Sequence, residues 1–201
     1  MNRKILFLVF MGLMICLLGG CAFTTETVKI DYTPSHYSKV TEVKTKTIEV
    51  NRLKDMRGVD PKLLSYKGTG VKTSSGYVSE REVSEIVTEA IKNLLSNMNY
   101  NAVDNKGMLA LTGEILKFET IVLVGFWSGQ LEGNIQVNLR LIDNKSGNII
   151  WTEIVSGNGK KTGLLMDSAG SRKEALEAAL DSLMSNIYNS TSLKKAVERL
   201  D

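Results

Sequence analysis

Histidine is almost missing from this chain. His36 is the one imidazole among 201 residues, so a Ser-His-Asp site would have to be built on it. Beside Pro34 in a polar stretch, it reads as a solvated loop residue. Cysteine is nearly as scarce, with only Cys16 and Cys21. Beyond Cys21 there is no thiol, which excludes disulfides, thiolate nucleophiles and zinc-thiolate sites in that part of the chain. The strings HExxH, CxxC and G-x-S-x-G are also missing. The glycine-rich stretch Gly68–Gly76 contains Lys72-Thr73, but Val71 stands where a phosphate loop needs glycine before the lysine. A hairpin or mobile loop is the better reading. No cofactor and no metal are expected. Charge of one sign is lacking too. The chain carries 25 basic and 22 acidic residues, a net charge of +3. Two of the basic residues are Arg3 and Lys4. Without residues 1–20 the balance falls to +1, too even for a basic face that would bind nucleic acid. The long apolar run needed to span a bilayer, roughly 20 residues, is absent as well.

A shorter apolar run is present. Ile5 to Leu18 follows the basic head Arg3-Lys4 and precedes Gly19-Gly20. A basic head, a short apolar run and small residues form a secretory signal. The end of that run, Leu18-Gly19-Gly20-Cys21, resembles the lipobox of bacterial lipoproteins. The resemblance implies cleavage before Cys21, diacylglyceryl on its sulfur and a further acyl chain on its amino group. Two or more chains anchor a protein stably. Ala22 follows the cysteine. In a two-membrane bacterium the resemblance then implies the outer membrane, with the domain facing the periplasm. In a one-membrane bacterium it implies the cell surface. Residues 1–20 are thus expected to be a signal peptide and 21–44 a lipidated N-terminus and tether. Residues 45–189 would form the globular domain, and 190–201 a tail with a short helix over 192–200. The remaining 181 residues suffice for one sizeable core.

The tether has an alternating segment, Val28 to Tyr32, that could dock as an edge strand. Thr47 to Asn51 alternates as a strand should. A charged loop with Lys54, Asp55, Arg57 and Asp60 ends at Pro61, and Leu63–Tyr66 follows. Ser79-Glu80-Arg81-Glu82 has the form of a capping box. From Val83 to Met98 apolar residues recur at steps of three and four, a helix with one core face. Ser84, Glu85, Glu89, Lys92 and Asn93 fall on its polar side. Met108–Ile115 reads as a strand whose apolar phase slips by one at Leu116, which predicts a bulge near 115–117. Gly125-Phe126-Trp127-Ser128-Gly129 forms a turn signal. Ile135, Val137, Leu139 and Leu141 then alternate with polar residues, as in an antiparallel strand with one wet face. A tight turn at Asp143–Gly147 leads to a returning strand, Ile149–Val155, and Gly157–Lys161 reads as a loop. Ser171-Arg172-Lys173-Glu174 is a second capping box. Ala175, Leu176, Ala179, Leu180, Leu183, Met184 and Ile187 form a second stripe, whose alanines permit close approach. The expected fold is α+β, an antiparallel β-sheet with two amphipathic helices packed on one face.

The element order, the lipobox, the charged loop at Arg57, the Gly-Phe-Trp turn and the strand pair Gln136–Val155 are similar to the YajG-like family of bacterial lipoproteins. That resemblance implies an outer-membrane lipoprotein and supplies no catalytic residues. The chain is expected not to be an enzyme. The leading reading is a membrane-anchored envelope lipoprotein with a non-catalytic binding or structural role, held through lipid on Cys21 and able to contact an envelope protein. An alternative is an accessory subunit of an envelope transport, secretion or assembly machine. A third, an envelope glycan hydrolase, would need a carboxylate pair from Glu114, Glu119, Glu132 and Glu153. The candidate partner-binding tip is Phe126 with Trp127, two aromatics between glycines that permit them to project.

Overall fold

The structure is a computed structural model, and it describes residues 24–34, 46–67, 75–124, 129–164 and 167–198. In chain order its strands are β1 Glu26–Val28, β2 Thr47–Val50, β3 Lys54–Asp55, β4 Leu63–Tyr66, β5 Gly76–Ser79, β6 Asn101–Val103, β7 Leu109–Val124, β8 Gly129–Asp143 and β9 Ile149–Leu164. Its helices are α1 Val83–Asn97, α2 Ala169–Asn189 and α3 Thr191–Glu198. The fold is α+β, with largely antiparallel sheets and helices packed against them.

The large sheet is the antiparallel meander β7-β8-β9, extended beside β7 by β2 and then β6. These two additions are parallel, as is the short pairing of β3 with β7. A smaller sheet has the order β1-β5-β4. Its outer strand β1 runs parallel to β5, so the segment beginning at Thr24 is part of the folded body. Val28 and Ile30 are buried in the core.

The phase slip in β7 is a bulge. Ile115 faces Val137 and Lys117 faces Gln136, so Leu116 is the extra residue between them. Leu109, Leu111 and Ile115 face the core before it, and Phe118 and Thr120 after it. An extra residue restores the buried phase that the sequence would otherwise lose.

In α1 the whole expected stripe from Val83 to Leu95 is buried. Ser84, expected on the polar side, is buried too, and its hydroxyl accepts from Arg52 Nε at 3.1 Å. Asn99 closes the helix in the left-handed region, at φ 60°. Both expected capping boxes fail. Ser79 ends β5, where its amide bonds the Lys62 carbonyl at 2.8 Å, and the N-cap is Glu82 with no side-chain cap bond. Strand pairing outcompetes the cap because it satisfies the Ser79 backbone directly. Ser168 caps α2 instead of Ser171, accepting from the Ser171 amide at 3.2 Å. The helix therefore starts earlier, and Arg172 lies inside its first turn.

Gly157–Lys161, expected as loop, belongs to β9. Gly157 and Gly159 lie under α2, and a Cβ on either would strike the carbonyl of Ala179 or Ala175. Those glycines mark a close approach of helix to sheet, not a turn. α3 is held by Trp151, whose Nε1 donates to Ser192 Oγ at 2.9 Å, and by Lys46, whose ammonium donates to the Val197 carbonyl at 2.6 Å.

Candidate functional site

The bulge divides β7 into two parts with different neighbours. Up to Ile115 both edges are occupied, by β8 on one side and by β2 and β3 on the other. The last bond on that second side runs from Met56 N to Ile115 O at 2.9 Å. From Lys117 to Val124 only β8 pairs with β7 among the described residues. β4, the outer strand of the small sheet, stands opposite this unpaired length. Between them lies a cleft of 670 Å³ with walls that include Val59, Leu63, Leu116, Phe118, Ile121 and Val122.

Two arginines bridge the cleft where a strand would otherwise sit. Arg57 has a side chain 6% exposed. It holds Asp55 with two parallel bonds, Nε to Oδ1 at 2.9 Å and Nη2 to Oδ2 at 2.7 Å. Its Nη1 donates to the carbonyls of Leu63 at 2.6 Å and Phe118 at 3.0 Å, and Nη2 donates to that of Pro61 at 3.1 Å. One guanidinium thus joins β3, β4 and β7. Its five donors in a rigid fork suit this task, which a lysine could not perform. Burial pushes the Asp55 carboxyl up, but bonds from the Arg57 side chain and backbone outweigh that and hold it below its ordinary value.

Arg172 does the same from the first turn of α2, with 2% of its side chain exposed. Nε and Nη2 hold Asp167 at 2.9 and 2.6 Å. Nη1 donates to the hydroxyls of Ser65 on β4 and Thr120 on β7. The guanidinium carbon lies 4.0 Å from the centre of the Tyr77 ring on β5, a cation–π contact. Burial, reinforced by the nearby Asp167 and Glu26 carboxylates, raises the Tyr77 phenol above its ordinary value.

A sequence model of a family described as uncharacterized lipoprotein matches residues 39–198. The chain belongs to that lipoprotein family. No curated protein matches this lipoprotein. Among solved structures it is similar to a protein from Xanthomonas campestris at 12% identity, with 89% of this chain and 99% of that one covered and a TM-score of 0.61. That likeness extends to the fold alone. It is also similar to a minor lipoprotein from Acinetobacter baumannii, at 12% identity over 75% of this chain and 94% of that one, with a TM-score of 0.43. The second likeness is too loose to bear on function.

The lipoprotein's cleft is lined by aliphatic side chains together with Ser65, Tyr66, Lys117, Glu119 and Thr120, and its two arginines face protein oxygens. A concave volume of this size, lined by both apolar and polar side chains, suits the binding of an extended ligand. The four strand carboxylates do not assemble into an acid–base pair inside it. Glu114 accepts from Arg140 and Asn138, Glu132 from Lys160 and Gln130, and Glu153 from Ser190 and Ser192. Glu119 lies at the cleft margin. Among the described residues, no group of three or more His, Cys, Asp and Glu could hold a metal ion. No helix among them is long and apolar enough to cross a membrane.

Cys21, His36, Phe126 and Trp127 lie outside the described residues. The strand that leads into the aromatic turn is described. Its last residues Ile121, Val122 and Leu123 are 41%, 39% and 44% exposed. The sequence reading missed Arg172 as a bridge. A signal existed, since Arg172 shares the helical phase of Ala175, Leu176 and Ala179, all of which are buried. An arginine on a core stripe calls for buried partners.

Proposed function

We propose that this chain is a non-catalytic envelope lipoprotein of the YajG-like kind, anchored through acyl groups on Cys21. By the lipobox resemblance and Ala22, it sits on the outer membrane and faces the periplasm. Its domain binds an envelope component in the cleft between β4 and β7. The observation that carries this reading is the cleft itself: a concave wall of aliphatic and polar side chains, with both arginines already engaged by carboxylates, carbonyls and hydroxyls of the protein. Groups held this firmly shape a site rather than act as base or nucleophile themselves. Phe126 and Trp127, which follow β7 in sequence, are proposed as contact residues of the same end of the molecule.

The test is site-specific photo-crosslinking of the full chain in cells. A photoreactive residue at Val59, on the cleft wall, is compared with one at Ile154, exposed on β9. Val59 should capture a discrete envelope component and Ile154 should not. Equal, diffuse labelling from both positions would remove the cleft as a binding site. Loss of the membrane-bound form in Cys21→Ser tests the anchor separately.

A further inference from the structure

The distal end of β7 changes character within a few residues. On its solvent face Lys117 and Glu119 are followed by Ile121 and Leu123. Val122 points to the opposite face, since strand side chains alternate. All three are well exposed, so this strand end is apolar on both faces. Exposed apolar residues grouped at one end mark a surface that meets something other than water.

The path of the N-terminal segment says what it meets. Glu26 begins β1 in register with Tyr77, and its carboxylate holds Lys67 at 2.6 Å. The Tyr77 ring lies against Arg172, and Arg172 bonds Thr120, the residue before Ile121. Two side-chain contacts therefore link the start of β1 to the apolar end of β7. From there the segment runs away along α2: Asp31 N donates to Glu177 at 3.3 Å and the Tyr32 hydroxyl to Asp181 at 3.0 Å. The described chain thus begins, just before Glu26, on the side of the apolar end. Five residue steps from Cys21 to Glu26 cover at most about 18 Å. A lipid on Cys21 would keep the bilayer within that reach.

We propose that Ile121, Val122 and Leu123 seat in the lipid of the membrane that anchors Cys21. This deepens the lipoprotein reading above and rests on it. Lys160 and Lys161 stand beside the strand end, but each is paired, with Glu132 and Glu174 respectively. The seating is therefore apolar in origin, and salt should not release it. It orients the domain with the mouth of the cleft, which Ile121 and Val122 line, at the membrane surface.

The test uses the full, lipidated chain reconstituted into vesicles of phosphatidylethanolamine and phosphatidylglycerol. Cys21 is the last native cysteine, so once it is acylated an introduced cysteine is the single reactive thiol. An environment-sensitive fluorophore is placed at Leu123→Cys, at Ile121→Cys as a second position, and at Lys145→Cys in the β8–β9 turn. That turn lies roughly 50 Å away along the strands, at about 3.3 Å per residue. The labels at 121 and 123 should emit at shorter wavelength, and brominated acyl chains should quench them several-fold more than the label at 145. High salt should leave this difference intact. Mass spectrometry of the same sample reports the lipid on Cys21. If the lipid is present and all three labels are equally wet, the seating is overturned and the anchor stands. If Cys21 carries no lipid, both fall. If labels 121 and 123 are protected in native membranes but wet in pure lipid vesicles, a protein covers the strand end and the lipid proposal is wrong.

Discussion

The two halves of β7 share one backbone and one partner strand, yet they are built differently. The half from Leu109 to Ile115 is a frame, hydrogen-bonded on both edges and with its large apolar side chains all buried. The half from Lys117 to Val124 is paired on one edge among the described residues. Its other edge is tied by the guanidinium of Arg57 and, through Thr120, by that of Arg172. Side chains can close an edge at a point and leave space around it, whereas a strand fills it continuously. The single extra residue at Leu116 separates these regimes. An unpaired strand edge is ordinarily a hazard; here it forms one wall of a cleft.

Breaking the distal half should cost most. Arg57→Ala should destabilise by about 3–5 kcal/mol, the usual cost of removing one partner of a buried ion pair. The urea midpoint measures it. The same variant carries a pH signature. In the wild type the depressed Asp55 carboxyl adds stability above its ordinary value of 3.8, and this is lost as pH falls through the lower folded value. With Arg57 gone, burial acts on the carboxyl unopposed and favours its neutral form. The gap between wild type and variant should therefore narrow as pH falls from neutral through 3.8 towards the lower folded value, and level off below it. A gap that stays constant would show that the pair is not coupled as described. In the proximal half, Leu111→Ala removes a buried side chain in a frame that cannot collapse, and about 3 kcal/mol should be lost. The smallest effect is expected at the exposed end. Leu123→Ser should shift stability by no more than about 0.5 kcal/mol, while weakening the association of that end with vesicles. A large loss of stability would return Leu123 to the core and erase the contrast between the halves.

Much of the frame could be read from residue order. The stripe of α1 was legible because its partners are three and four residues apart. The bulge was legible because a change of phase in a half-buried strand requires an extra residue. Gly157–Lys161 was misread because glycine and lysine are weak strand formers; the glycines serve the α2 backbone, which arrives from later in the chain. The first capping box was misread because Ser79 had a stronger partner, the Lys62 carbonyl, and the second because Ser168, earlier in the chain, caps the helix. Arg172 was missed as a bridge since Ser65, one of its partners, lies 107 residues away.

The sequence alone carries the lipobox-like pattern at Cys21, the lack of thiols and imidazoles after His36, and the amphipathic periods of the helices. All of these are short-range properties, set by neighbours within a turn or by composition. Tertiary structure alone decided that one edge of β7 lacks a partner strand among the described residues, that two arginines tie it at points, and that β1 begins on the side of the apolar end of that strand. Each depends on pairing between segments far apart in the chain, such as β1 on β5 or α2 against β7. No local period records such pairings, because their free energy arises only when the distant surfaces meet and exclude water together.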